Sequence, residues 1–145
     1  MPTQTIERPV QRPAAELAAL FPGRYLNVTS FKHDGTGVPT PLWFVSDGER
    51  LFALTDLHSA KIARMRHNPR VLVAPCGASG KLHSEPLPAS VEVLTQSADL
   101  ERVQKLLIER YKLSYRVMML IYRLGRRLRG RSAVADGAAL AITVD

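Results

Sequence analysis

The sequence predicts a mainly β domain of the α+β class, a small mixed barrel of about six short strands with helices inserted between them. Short apolar runs recur along the chain, and clusters of glycine, proline, serine and aspartate separate them, as expected for short strands joined by turns. Only one strand–helix–strand unit has a plausible length, so the repeated crossovers of a parallel sheet are not indicated. With 145 residues, 46% of them apolar and 23% charged, the chain has the composition of one globular domain.

The first residues predict an arm, a helix and a strand. Met1–Pro13 contains three prolines and is expected to be a flexible arm, followed by a single domain over residues 14–145. Ala14–Phe21 has helix-forming composition and ends at the breaker pair Pro22-Gly23. Tyr25–Phe31 alternates apolar with hydroxyl-bearing side chains, which predicts a half-buried strand.

The next two strands are predicted to form a hairpin. Val38–Val45 contains Pro39 and Pro41, which cannot donate ladder hydrogen bonds, so this strand is expected to begin at a sheet edge or to carry a bulge. The turn sequence Ser46–Glu49 separates it from the apolar run Leu51–Leu54.

The second half predicts a short helix, two strands, a longer helical segment and a last strand. In chain order these are the helix from Ser59 to the residues before Pro69, the strands Val71–Ala74 and Pro86–Leu94, the helical segment from Ser97 to about Leu128, and the strand Ala139–Val144.

The start of the short helix has the residues of an anion site. Thr55 ends a strand, Ser59 is placed to cap the helix, and Lys61 and Arg64 lie nearly one turn apart on one face. The unpaired N–H groups of a helix N-terminus carry partial positive charge, which hydroxyls and two cations reinforce. The segment therefore predicts a phosphate site at the rim of the sheet, although a solvated cationic helix would have the same sequence.

Three stretches carry a resemblance to a known superfamily. They are RYLNVTSFKHDGTGVPTPLWFV (24–45), LFALT (51–55) and SAKIARMRHNPRVLVAPC (59–76). Together they resemble the flavin/deazaflavin split-barrel superfamily of the pyridoxamine-phosphate oxidases, and within it the branch of oxidoreductases that use the deazaflavin coenzyme F420. The likeness extends more weakly through Ala89–Leu94 and the C-terminal helix.

This resemblance implies a six-stranded split β-barrel with a short helix after the third strand and a longer helical segment before the last strand. It also implies a homodimer with a cofactor at each subunit interface. The implied activity is hydride transfer between reduced F420 and a small organic substrate, with FMN as the alternative cofactor. The implied cofactor-binding residues are Pro41, Leu42 and Trp43 beside the ring, and Thr55, Ser59, Lys61 and Arg64 at the phosphate.

The cysteine content, the lengths of the apolar runs and the distribution of charge indicate where the protein is located and what it binds. The single cysteine, Cys76, excludes an internal disulfide and fits a cytoplasmic location, and no apolar run is long enough to span a bilayer. The charge excess is concentrated late in the chain: residues 1–100 hold ten basic and nine acidic side chains, whereas residues 101–145 hold ten and four. Nucleic acid is a weaker interpretation of the Arg-rich segment 123–131, because no aromatic residues are interleaved with its arginines.

Other interpretations stay open at this point. The four histidines show no metal-ligand spacing, so no metal site is predicted. Trp43 also fits a core or interface role, which is the commoner use of a large aromatic residue. Two alternatives remain: a non-catalytic cofactor carrier of the same fold, and a basic protein that uses its C-terminal helix to bind nucleic acid or a membrane. No catalytic residue is assigned.

Overall fold

The computed structural model describes residues 11–112, 114, 116, 117, 120, 124 and 137–145. Within them the chain forms seven strands and three named helices. The strands are β1 (Tyr25–Phe31), β2 (Gly37–Trp43), β3 (Val45–Asp47), β4 (Arg50–Asp56), β5 (Arg70–Cys76), β6 (Leu87–Leu94) and β7 (Gly137–Val144). The helices are α1 (Ala14–Leu20), α2 (Ala60–His67) and α3 (Ser97–Tyr111).

The seven strands form one antiparallel sheet in the order β2-β1-β5-β6-β7-β4-β3. The two strands at the ends of this order, β2 and β3, are consecutive in the sequence and are separated only by Phe44. The chain itself therefore joins the two ends of the sheet, as expected for a split barrel. The expected edge position of the proline-bearing strand is confirmed, since β2 pairs with β1 alone among the described strands.

The break at Phe44 corrects the expected count of six strands. The sequence predicts a single strand over Val38–Val45, whereas the structure divides this stretch into β2 and β3. Phe44 is completely buried, and its carbonyl accepts a hydrogen bond from the hydroxyl of Tyr111 on α3. A side chain thus supplies the hydrogen bond at the point where the chain passes from one end of the sheet to the other. With the additional strand, α2 follows β4 in chain order.

A two-residue turn connects β3 to β4, which confirms the predicted hairpin. Asp47 pairs with Arg50, so Gly48 and Glu49 form the turn. Gly48 has φ +60°, the left-handed region that the first position of a tight hairpin turn requires and that glycine adopts at no steric cost.

Successive side chains of a strand point to opposite faces of the sheet, and the apolar side chains form one cluster on each face. The inner cluster fills the barrel with side chains such as Leu26, Leu51 and Leu140, and the helices α1 and α2 contribute Leu17, Ile62 and Met65 to it. The outer cluster lies between α3 and the other face of the sheet, where Val103 and Leu107 pack with Phe52, Ala139 and Ala141.

The helical segment predicted from Ser97 onward is interrupted after Tyr111. α3 ends at Tyr111, where Lys112 has φ +48° and its N–H bonds to the Ile108 carbonyl. Residues 114, 116, 117, 120 and 124 are helical again. The Arg-rich segment 123–131 (except residue 124) and the first ten residues of the predicted arm lie outside the described residues.

Candidate functional site

The lysine of the predicted phosphate site lies where the sequence places it, above the end of β4. The ammonium Nζ of Lys61 donates to the hydroxyl Oγ1 of Thr55 at 3.0 Å. Burial lowers the pKa of Lys61, the nearby Asp56 carboxylate acts in the opposite direction, and the Arg64 guanidinium lowers it further. The hydrogen bond to a neutral hydroxyl leaves this positive charge to be balanced mainly by Asp56 or by a ligand.

Ser59 lies at the N-cap position of α2, but the predicted side-chain cap does not form. Its hydroxyl donates to the Asp56 carbonyl at 2.7 Å instead of accepting from a backbone N–H of the first helical turn. The Asp56 carboxylate accepts the backbone N–H of His58 at 3.0 Å, a local turn that competes with capping. The cap prediction is therefore wrong in its geometry, and the first-turn N–H groups of α2 are not occupied by Ser59.

The second cation of the predicted site has a structural partner as well. Nε of Arg64 donates to the hydroxyl of Ser30 at 2.7 Å. Ser30 belongs to β1 and is fully buried. Arg64 thus connects α2 to the interior of the sheet, while the rest of its fork of donors stays available on a half-buried side chain.

A cleft of about 440 Å³ lies beside Arg64, between α2 and the turn after β1. Two imidazoles meet in it, with the ring centroids of His33 and His67 3.7 Å apart. Lys32 and Asp34 add one charge of each sign. The cleft connects the Arg64 side of α2 with the β1–β2 turn.

The other predicted residues lie on β2 and point in alternate directions. Leu42 packs against the barrel core, whereas Trp43 packs on the outer face against Tyr25 and Tyr111, with centroid distances of 6.1 and 4.8 Å. Pro41 is exposed and pairs with Asn27 of β1. The structure thus groups Thr55, Ser59, Lys61 and Arg64 around α2, whereas the other three predicted residues lie on β2. A cofactor contact from Pro41, Leu42 or Trp43 stays a prediction.

Asn27 is a polar residue that the sequence interpretation missed. Its side chain is buried to 94% on the same outer face as Pro41 and Trp43, and its Nδ2 donates to the Gly80 carbonyl at 3.3 Å. Within the described part of the chain, its Oδ1 has no donor partner. An asparagine between two apolar residues of a strand is the signal that would have identified it, because asparagine is disfavoured in strands.

The donor set of the α2 cluster fits a phosphate. Two cations of different geometry, one compact and one forked, lie one helical turn apart, and two hydroxyls flank them. The one unfavourable group is the carboxylate of Asp56, which already accepts a backbone N–H. Among the described residues no cluster of three or more His, Cys, Asp or Glu side chains has the arrangement of a metal site, and no helix is long and apolar enough to cross a membrane.

Comparison of the fold with solved structures identifies proteins of one structural class. A FAD-binding protein from Mesorhizobium loti is 18% identical, with a TM-score of 0.58, and the match covers 92% of this chain and 89% of the other. An F420 reductase is 16% identical, with a TM-score of 0.53 and coverage of 89% and 92%. A pyridoxamine 5′-phosphate oxidase-related, FMN-binding protein from Nostoc punctiforme is 16% identical, with a TM-score of 0.51 and coverage of 91% and 74%.

Neither a family model nor a curated protein matches the sequence. The structural neighbours thus include a protein described as pyridoxamine 5′-phosphate oxidase-related and FMN-binding, a FAD-binding protein and an F420 reductase. At these identities the comparison shows the fold, which confirms the split barrel that the sequence resemblance implies, in a seven-stranded form.

Proposed function

We propose that the protein is an oxidoreductase that binds coenzyme F420 and transfers a hydride between the reduced deazaflavin and a small organic substrate. When bound, the cofactor supplies the hydride, and the residues of this chain supply binding and orientation. The observation that carries the proposal is the half-buried Lys61 ammonium, which is held on the Thr55 hydroxyl beside Arg64. A bound anion would stabilise a half-buried cation in this position.

The local electrostatics support a phosphate at this position. Burial of Lys61 and the proximity of Arg64 both disfavour its charged form, as the lowered pKa records. A phosphate bound between the two cations would reverse both effects, because an opposite charge favours the ammonium. Thr55 would keep the ammonium in place and Ser30 the guanidinium, so little side-chain entropy remains to be lost on binding.

The preference for F420 over FMN rests on charge. F420 carries a phosphodiester and a polyglutamate tail, whereas FMN ends at its phosphate. This chain has a net charge of +7, and ten basic against four acidic residues over 101–145 account for six of the seven. A basic segment of this kind attracts a polyanionic tail.

Titration of the purified protein with F420 and, separately, with FMN tests the proposal. We expect F420 to bind at least about tenfold more tightly, a difference of about 1.4 kcal/mol. Trp43 is the single tryptophan of the chain and lies on β2 beside the predicted ring position, so quenching of its fluorescence serves as the binding signal. Equal affinities, or tighter binding of FMN, would contradict the F420 assignment.

An FMN-dependent oxidoreductase is the second candidate, and the FMN-binding structural neighbour favours it. The two candidates share the phosphate site on α2 and differ in the tail and in the ring. Binding of either cofactor without turnover of any unsaturated substrate would instead support a non-catalytic carrier of the same fold.

A further inference from the structure

Three large apolar side chains lie exposed on the helical residues that follow α3. Val117, Leu120 and Leu124 have exposed fractions of 46%, 59% and 49%. They are spaced three and four residues apart, which places them on one side of a helix. Leu82 is the only other large apolar side chain that is exposed in the described part of the chain, at 42%. We refer to Val117, Leu120 and Leu124 as the 117–124 face.

The sequence around this face is strongly basic. Residues 112–135 contain one lysine and six arginines and not one acidic residue. Arg116, next to Val117, is exposed and helical. The sequence thus has apolar residues with cationic residues before and after them, which is the composition of helices that bind at a membrane surface.

We propose that the 117–124 face docks on an anionic lipid surface, with the apolar side chains entering the interface and the arginines contacting lipid headgroups. Long arginine side chains reach headgroups while their stems cover apolar surface. The longest uncharged apolar run of this segment, residues 117–122, has six residues and is too short to span a bilayer, so the proposed contact is peripheral.

Charge and apolar surface together favour lipid over the two other occupants. A second copy of this chain, paired through the same face about a two-fold axis, would bring two sets of arginines together and repel. Nucleic acid would satisfy the arginines but would leave the three apolar side chains against a phosphate backbone. An anionic bilayer offers an apolar interior to the three apolar side chains and negative headgroups to the arginines.

Sedimentation of the full-length protein with vesicles tests this proposal. Vesicles of phosphatidylcholine mixed with phosphatidylglycerol are compared with vesicles of phosphatidylcholine alone, each at low and at high salt. We expect binding to the anionic vesicles that weakens with salt, because the arginine contribution is screened.

Matched substitutions separate the apolar and the ionic contributions. Leu120→Asp is expected to weaken binding to anionic vesicles by about tenfold or more, because it removes a leucine from the interface and adds a negative charge. Leu82→Asp makes the same change at an exposed leucine elsewhere in the chain and is expected to leave binding unchanged. Arg127→Gln is expected to weaken binding about fivefold. Lys105→Gln, at an exposed position of α3, is the matched control.

Several results would overturn the proposal. These are no sedimentation with anionic vesicles at low salt, equal binding to neutral vesicles, and equal effects of Leu120→Asp and Leu82→Asp. Tight binding of duplex DNA without vesicle binding would assign the segment to nucleic acid. Conversion of a dimer to a monomer by Leu120→Asp without a change in vesicle binding would assign the face to a second copy. Leu124→Ser, with a melting curve recorded for each variant, repeats the test with a milder change.

Discussion

Replacement of Lys61 by alanine is expected to weaken F420 binding and to leave the apo-protein almost as stable as before. The ammonium donates to the Thr55 hydroxyl at 3.0 Å and would form a charge-assisted bond to the cofactor phosphate. Loss of one such bond costs about 1.5–3 kcal/mol, which corresponds to a dissociation constant raised about 10- to 150-fold.

The stability side of this prediction follows from the burial of Lys61. Desolvation disfavours its charged form, as the lowered pKa records, so removal of the side chain relieves an unfavourable term while it breaks one bond to a half-buried hydroxyl. These two effects oppose each other, and we expect the melting temperature of the apo-protein to change little.

Arg66→Ala provides the matched control, because Arg66 lies on the same helix, carries the same charge and is exposed. Fluorescence titration of the wild type and the two variants, with a melting curve for each, is the assay. An unchanged dissociation constant for Lys61→Ala would place the phosphate elsewhere. An equal loss for Arg66→Ala would reduce the effect to net charge and remove the argument for a specific site.

Four further predictions concern Arg64, the pKa of Lys61, the hydrogen bond of Tyr111 and the oligomeric state. Arg64→Ala should weaken cofactor binding less than Lys61→Ala but should destabilise the apo-protein by about 1–3 kcal/mol in chemical denaturation, because it leaves the buried hydroxyl of Ser30 without its partner. Cofactor affinity should fall as the pH rises through the lowered pKa of Lys61, because the ammonium loses its charge. Apo-protein stability should instead rise between that pKa and 10.5, because the unfolded chain keeps the proton that the folded chain releases. Affinity and stability that do not change with pH over this range would contradict the prediction. Tyr111→Phe should lower the free energy of unfolding by about 1 kcal/mol, because the Phe44 carbonyl loses its donor, and an unchanged denaturation midpoint would refute the role given to this bond. Light scattering should give twice the 16.1 kDa chain mass, as the proposed homodimer requires, and a clean monomer that binds cofactor tightly would exclude a site shared between subunits.

Structural elements that depend only on neighbouring residues were predictable from the sequence. The strand Tyr25–Phe31 has the predicted bounds, and the Gly48 turn lies where the sequence places a hairpin. Each depends on neighbouring residues alone, on alternation of side chains or on the backbone freedom of glycine. The buried state of Cys76 was predictable in the same way, and burial raises the pKa of its thiol.

Features that depend on distant residues were not predictable from local patterns. Val38–Val45 is continuously strand-like in sequence, but it divides at Phe44, whose carbonyl accepts a hydrogen bond from a tyrosine 67 positions later. Likewise, spacing places Lys61 and Arg64 on one face of α2, but it does not indicate that Arg64 is bonded to Ser30, 34 positions earlier. The sequence therefore predicts which residues form the candidate site, whereas the tertiary contacts decide which of them also maintain the fold.

The apolar side of α2 explains how the two cations acquire a fixed position. Ile62 and Met65 follow Lys61 and Arg64 by one residue each, and both are almost completely buried in the inner core. Because residues three apart share a helix face, burial of this pair fixes the rotation of the helix and sets the cationic pair at the edge of the buried face. There the ammonium donates to the Thr55 hydroxyl near the end of β4, and the guanidinium donates to the buried hydroxyl of Ser30 in β1. The packing that closes this end of the barrel thus also orients the proposed phosphate ligands.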